Sequence, residues 1–352
     1  MKQNNKIFAF KLDNIYYKLY NENMKFKKHI FEMAKQDLKT IVFPEAGFSD
    51  KVIDVIRLVA QYKIAKVVLI GDETALYMRY NSLEGDYVKI INPKTSELKA
   101  ELLESLQSIE KYSSLPTAEL EGALLNPFVY TALLVKNGYA DGVVSGLETP
   151  SYKIFAPVNE ILGYTDPEVS LTSTTIFIGK NKRLKNRALL LSDCVANKNP
   201  SEKELVDNAD ASVKFWKTIF MEEPRVAFLS HICKEFEDDV CADTVQKATN
   251  MFKFQNPSIV ADGEMQLDTA VNQNAQERKF PNSRIKGNAN VLLVPDATSG
   301  SVLTKSLAFI AGLNQIGSLV HGFKRPVSIA SRTNTINEIV MLTALTAIQA
   351  QE

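Results

Sequence analysis

Two short segments near the end of the chain carry residues able to do chemistry on an anion. In PVSIASRTNTINEIV, Ser331-Arg332 directly follows an apolar, β-branched run and precedes a helical pattern. The Arg332 guanidinium offers a planar fork of donors that matches a phosphate, and the Ser331 hydroxyl can donate to the same oxyanion. The plain alternative is a surface arginine beside a turn. Thr335-x-x-Glu338 also has two readings. It has the pattern of a capping box, in which hydroxyl and carboxylate each satisfy a free N–H of the first helical turn. Glu338 is equally a candidate general base, about two turns beyond the anion-binding Arg.

The elements that must position these groups follow from the patterning. Short β-branched runs recur, each ending at a turn residue and followed by a helical pattern, which predicts an α/β fold with parallel strands. The runs are 40–43, 67–70, 142–144, 174–178, 188–191, 225–229, 258–260, 291–294 and 327–330. Stretches 51–62, 201–220 and 301–313 space apolar residues as helices do, so helices are expected on both sheet faces. Ligands of parallel sheets bind beyond the carboxyl ends of the strands. The informative positions are then Ser145-Gly146, Asp193-Cys194, Asp262-Gly263, Pro295-Asp296 with Gly300, and Ser331-Arg332.

Composition narrows the function classes. The chain has 352 residues with 41 basic and 41 acidic side chains, so an excess of cations for nucleic acid is absent. Cys194, Cys233 and Cys241 form no C-x-x-C pair, and only His29, His231 and His321 could join them, so neither zinc nor a disulfide framework is expected. No apolar run approaches a membrane span, and the expected location is the cytoplasm. Residues 1–23, rich in Lys, Asn and Tyr, read as an N-terminal extension. His321, in LVHGFKRP, reads as structural.

From about Thr40 onward seven segments follow in order: IVFPEA; NPFVYTALLVKNGYADGVVSGLETP; LLLSDCVANKNPSEKEL; EPRVAFLS; VADGEMQLDTAV; GNANVLLVPDATSGSVLTKSL; and PVSIASR. On these segments the chain resembles the phosphate acetyl/butyryltransferases. The resemblance implies a two-domain parallel-sheet sandwich like that of the isocitrate and isopropylmalate dehydrogenases. The first domain would take residues 24–165 plus 319–352, and the inserted second domain 166–318, with the active site in the cleft between them. It implies a homodimer and reversible acyl transfer, acetyl-CoA plus phosphate giving acetyl phosphate plus CoA. No tightly bound cofactor is implied, since coenzyme A enters as substrate; no nucleic acid or membrane partner is expected.

The implied roles carry over residue by residue. Ser331 and Arg332 match the family's Ser-Arg pair for transition-state stabilisation and phosphate binding. The family's catalytic Asp falls on Glu338, whose extra methylene moves the carboxylate by about 1.5 Å. Cys194 matches a family Cys, with a small buried thiol as the alternative. Asn288, Asn290 and Asp296 would shape loops beside the phosphate, or simply form turns; Ser145-Gly146 would let backbone approach the ligand. Two family arginines are missing: Glu110 in SIEKYSSL and Ala156 in KIFAP stand in their places, with Lys111 and Lys153 as neighbouring cations. The acyl group stays open between acetyl, to which GNANV and the length point, and butyryl, to which VPDATSGSVLTKSL and SIASRTNT point. A non-catalytic acyl-CoA-binding module is the reading from another class.

Overall fold

Each of the nine β-branched runs contributes to a strand, and two further strands complete one sheet of eleven, in the order β3-β2-β1-β4-β11-β10-β5-β6-β9-β7-β8. The computed structural model describes residues 25–79, 86–166, 168–184, 187–192, 195–233 and 240–352. The expected N-terminal extension, Asp193 and Cys194 lie outside the described residues. The strands are β1 (Thr40–Phe43), β2 (Lys66–Ile70), β3 (Val88–Ile91), β4 (Gly142–Ser145), β5 (Thr172–Ile178) and β6 (Leu189–Ser192). They continue with β7 (Arg225–Leu229), β8 (Val260–Met265), β9 (Val291–Leu293), β10 (Asn314–His321) and β11 (Val327–Ile329).

The sheet is mixed rather than wholly parallel. β1 to β4 and β11 run parallel to one another, as do β6 to β9. Between the groups lie three antiparallel contacts, β11–β10, β10–β5 and β5–β6, so the two groups run in opposite directions. β3 and β10 have no counterpart among the expected strands. In β10 a register shift between Ile316 and Leu319 falls at Gly317-Ser318, where alternation breaks. The expected turn at Asp262-Gly263 is also corrected. β8 runs on through both residues, and the buried Asp262 carboxylate pairs with Lys253 at 3.2 Å instead of facing a ligand.

The helices are α1 (25–34), α2 (Asp50–Tyr62), α3 (Glu73–Arg79), α4 (Lys99–Gln107), α5 (Thr117–Leu124), α6 (Pro127–Lys136) and α7 (Ser151–Leu162). Then come α8 (Glu202–Phe220), α9 (Val240–Gln255), α10 (Leu267–Val271), α11 (Gln273–Lys279), α12 (Ala297–Lys305) and α13 (Ile336–Gln349). The expected helix over 301–313 is instead the end of α12, a π turn over Ser306–Ile310 and the approach to β10.

α13 explains why its sequence is apolar all round. Every residue from Ile339 to Ile348 is buried, because the helix lies between α2 and strands β1, β4, β10 and β11. Its start is therefore fixed in the core, and that start carries Glu338. One apolar cluster draws on residues 42–171 and 320–329, a second on 177–313, and a third joins both halves of the sheet. The chain passes between the halves twice, through residues 163–171 and back along β10. No helix among the described residues is long and apolar enough to cross a membrane.

Candidate active site

Where β11 ends, the Ala330 amide still donates to Ser145 O at 2.7 Å, and the chain then leaves the sheet through Ser331-Arg332-Thr333. Asn334 shapes that turn. Its Oδ1 accepts from Ser331 N at 2.7 Å, and its own amide donates to Ser331 O at 2.8 Å. Its Nδ2 donates to Gln315 O at 2.8 Å, tying the turn to β10. Lys51 Nζ donates to Arg332 O at 2.8 Å from the other side. With its backbone held at several points, the loop presents the Arg332 side chain to solvent and leaves Ser331 half-buried.

The neighbouring strand end is built around a carboxylate. Glu45, fully buried after β1, accepts from the amides of Leu147, Glu148 and Thr149 at 2.9, 3.1 and 2.7 Å, and from Ser145 Oγ at 3.3 Å. Burying a charge is costly unless it is hydrogen-bonded, and these donors offset that cost while shaping the loop into α7. Gly146 has φ +91°, and a Cβ there would lie 2.5 Å from Ala330 O. Only glycine lets the β4 and β11 ends approach this closely.

α12 supplies the third wall. Asp296 caps it, accepting from Ser299 N at 2.9 Å and Ser299 Oγ at 2.8 Å, and Gly300 is buried beneath. One turn on, Ser301, Thr304 and Lys305 face the cleft, and Lys305 Nζ donates to Ser331 Oγ at 3.0 Å. Gln315 and Ser318 of β10 complete a cavity of about 250 Å³. Its described lining holds two cations, Arg332 and Lys305, six hydroxyls and no carboxylate. Such a lining is suited to a small anion.

The expected site residues divide accordingly. Ser331, Arg332 and Gly146 line the cavity, and Ser145 lies just behind it. Asp296 and Gly300 act one turn away, through α12, without lining the cavity. Val195, next to Cys194, does line it. Asn288 and Asn290 are engaged elsewhere, four strands from β11 in sheet order at the start of β9. Asn288 accepts from Arg187 through its side chain and from Arg225 Nε through its backbone oxygen; Asn290 Oδ1 accepts from Arg225 N at 2.6 Å, and its Nδ2 donates to Glu223 O at 3.2 Å. They are braces for the β7 and β9 starts, not phosphate loops.

Glu338 forms the capping box. Its Oε2 accepts from Thr335 N at 2.7 Å and from Asn334 Nδ2 at 3.3 Å, while Oε1 accepts from Gln315 N at 2.7 Å. Both oxygens are thus occupied behind the cavity wall. Sequence reasoning missed Glu45, Lys305 and Gln315. The signal for Lys305 was present, since Ser301, Thr304 and Lys305 share one helical face beyond the Asp296 turn.

A family model described as phosphate acetyl/butaryl transferase matches residues 25–347. The chain belongs to this family. The phosphate acetyltransferase of Thermoanaerobacterium thermosaccharolyticum is 32% identical over 325 residues, 92% of this chain and 98% of that protein. A phosphotransacetylase structure from Streptococcus pyogenes superposes with TM-score 0.83 at 25% identity, covering 93% of this chain and 98% of that one. A branched-chain phosphotransacylase from Enterococcus faecalis shares the fold, with TM-score 0.63 at 17% identity over 90% of this chain and all of that one.

Of the two positions where the resemblance implies an arginine, Ala156 but not Glu110 lines a second, larger cavity, of about 710 Å³, on the side of α7 facing α6. Ala156, Lys153 and Lys111 line it. Lys111 does not reach the cavity of Arg332 but pairs with Glu160, which also accepts from Tyr112 Oη at 3.0 Å. Burial, and then the Glu160 carboxylate, push the Tyr112 hydroxyl up to about 12. It therefore remains a neutral donor at physiological pH.

Proposed function

We propose that the chain catalyses reversible acyl transfer between coenzyme A and inorganic phosphate, with acetyl as the acyl group. The observation that carries this reading is the cluster of Ser331, Arg332 and Lys305 around one small carboxylate-free cavity in a chain of this family. Arg332 and Lys305 hold the phosphate. A phosphate oxygen attacks the acyl carbonyl carbon, the carbon–sulfur bond breaks, and the CoA thiolate leaves and takes a proton. Ser331 accepts from Lys305, so its own proton is directed to Thr333 Oγ1, 2.8 Å away, or to the carbonyl oxygen as negative charge develops there. In the reverse direction the two cations favour the thiolate of coenzyme A over its thiol, so the geometry asks little of a dedicated base. Glu338 acts by holding Asn334 and Gln315 in place. The base role implied for it by resemblance would require release of its present donors.

Coenzyme A enters as substrate, its larger part lying toward Lys111 and Lys153, and no tightly bound cofactor takes part. The working unit is a cytoplasmic homodimer. Each chain is divided at the two crossings into domains of residues 24–165 plus 319–352 and 166–318. The test is release of free thiol from acetyl-CoA in the presence of phosphate, beside butyryl-CoA, with Ser331→Ala and Arg332→Ala as controls. Loss of one transition-state donor lowers kcat by about 100- to 1000-fold. A higher rate with butyryl-CoA assigns the butyryl branch. The pairing of Lys111 with Glu160 favours one further reading, a module that holds acyl-CoA without turning it over. CoA binding with no thiol release in the wild-type chain would establish that reading instead.

A further inference from the structure

α7 leads from the small-anion cavity to the larger one. Ser151, its first residue, lines the former, whereas Lys153, Ala156, Pro157 and Glu160, spaced as one helical face, line the latter. At a rise of 1.5 Å per residue, Pro157 stands about 9 Å along the axis from Ser151, and Glu160 about 14 Å. A ligand with its reacting end at Ser331 and Arg332 and an extended arm along α7 therefore meets this face.

The face is poorly suited to a phosphate. Lys111 is paired with Glu160, which also accepts from Tyr112 Oη at 3.0 Å, and Glu110 adds a carboxylate to the same short turn. Within the described lining that leaves Lys153, an exposed side chain of a kind that holds a counter-ion weakly, and Ala156 brings no charge. Leu125, Pro127 and Phe128 make the wall from the α5–α6 junction apolar. The face does offer a backbone acceptor. Pro157 lies inside α7 and has no N–H, so Lys153 O, one turn before it, lacks its helical donor. A backbone carbonyl in that position is completed by an N–H from elsewhere, and a ligand amide supplies one.

We propose that the thiol substrate is held by its pantetheine arm and not by its nucleotide, so that the substrate class is pantetheine thiols and thioesters in general, with coenzyme A as one member. The second amide of the arm lies seven bonds from the sulfur, about 9 Å in an extended chain, and donates to Lys153 O. The methyl groups beyond it pack on the apolar wall. The 3′-phosphate of coenzyme A adds little, because the cation nearest the arm is exposed and the other is already paired. The proposal rests on the acyl-transfer reading, which supplies the thiol.

Calorimetry on the full chain reads this preference without turnover. The probes are coenzyme A, dephospho-coenzyme A, pantetheine, and N-acetylcysteamine, which keeps the thiol and the first amide but lacks the second. The first three are expected to bind within about fivefold of one another, and the fourth at least about tenfold more weakly than pantetheine. Pro157→Ala returns an N–H to Lys153 O and suits the helix better than proline does, so folding is retained. It should weaken pantetheine about fivefold and leave N-acetylcysteamine unchanged. A larger preference for coenzyme A over either shortened thiol overturns the proposal. So does equal binding of pantetheine and N-acetylcysteamine, an unchanged affinity in Pro157→Ala, or no binding of any thiol up to about 10 mM. Thiol release from acetyl-CoA, measured on the same sample, separates the two failures. Turnover with a strong preference for coenzyme A overturns this proposal alone; matched affinities without turnover overturn the acyl-transfer reading alone.

Discussion

Substitution at Glu338 separates bracing from proton transfer. In Glu338→Ala, Oε1 no longer receives the Gln315 amide, which lies in a buried stretch of β10. An orphaned buried N–H costs about 1–3 kcal/mol. Oε2 no longer completes the box with Thr335, a further loss of about 1 kcal/mol. The expected destabilisation is about 2–4 kcal/mol, read as a melting point several degrees lower. Glu338→Gln keeps one oxygen and turns an NH2 toward one of the two backbone donors, so it should lose about half as much. Because Asn334 links this carboxylate to the Ser331 amide, the Ser331-Arg332 turn loosens in parallel. Activity should then fall in step with stability across the series Glu, Gln, Ala, and the pH–rate profile of the Gln variant should keep its wild-type limbs. A general base behaves in the opposite way: its amide variant loses about 100- to 10,000-fold in rate. A Glu338→Gln protein with the wild-type melting point and such a loss would refute the bracing argument.

Gly146→Ala places a methyl 2.5 Å from Ala330 O and 2.8 Å from Ile329 Cγ2 at φ +91°, so the end of β11 must move. Stability should fall by about 1–3 kcal/mol and acyl transfer should fall with it, checked by thermal melting and thiol release; an unchanged variant would show that the close approach is dispensable. His321 gives the chain a pH dependence of stability. Its pKa is lowered from 6.5 to about 4 by burial, with Lys214 adding to the shift. Between those values the unfolded chain binds a proton that the folded chain does not, so stability should drop as pH falls from about 6.5 to 4, by at most about 3 kcal/mol. In His321→Gln, denaturant titrations across that window should show a flatter slope.

How much of this could be read from the sequence depended on whether a residue acts where it stands in the chain or through a partner far away in it. Ser331-Arg332 was legible because the run VSIA, a turn and a helix follow one another, and the strand-end rule then points at the turn. Gly146 was legible for the same reason. Glu338 was legible as a cap, since a capping box is a local pattern, but its bond to Gln315 was not, because 23 residues and a strand reversal separate them. Asn288 and Asn290 were misplaced by proximity to the Asp296 turn: they precede β9 and brace its start, while Asp296 follows it and caps α12. Glu45 looked like an ordinary residue after a strand, and its three backbone donors come from a loop about a hundred positions away.

The most consequential omission was β10. Gly317-Ser318 interrupts its alternation, so the segment gives no clean period, yet together with β5 it forms the antiparallel seam between the two oppositely directed halves of the sheet. It brings Gln315 and Ser318 to the small-anion cavity. A parallel sheet needs only repeated strand–helix units, each recognisable by itself. Joining two such sheets edge to edge in opposite directions needs an antiparallel seam, and a seam paired on both sides is specified by its partners more than by its own residues. The same strand therefore escaped the reading of the fold and took part of the site with it.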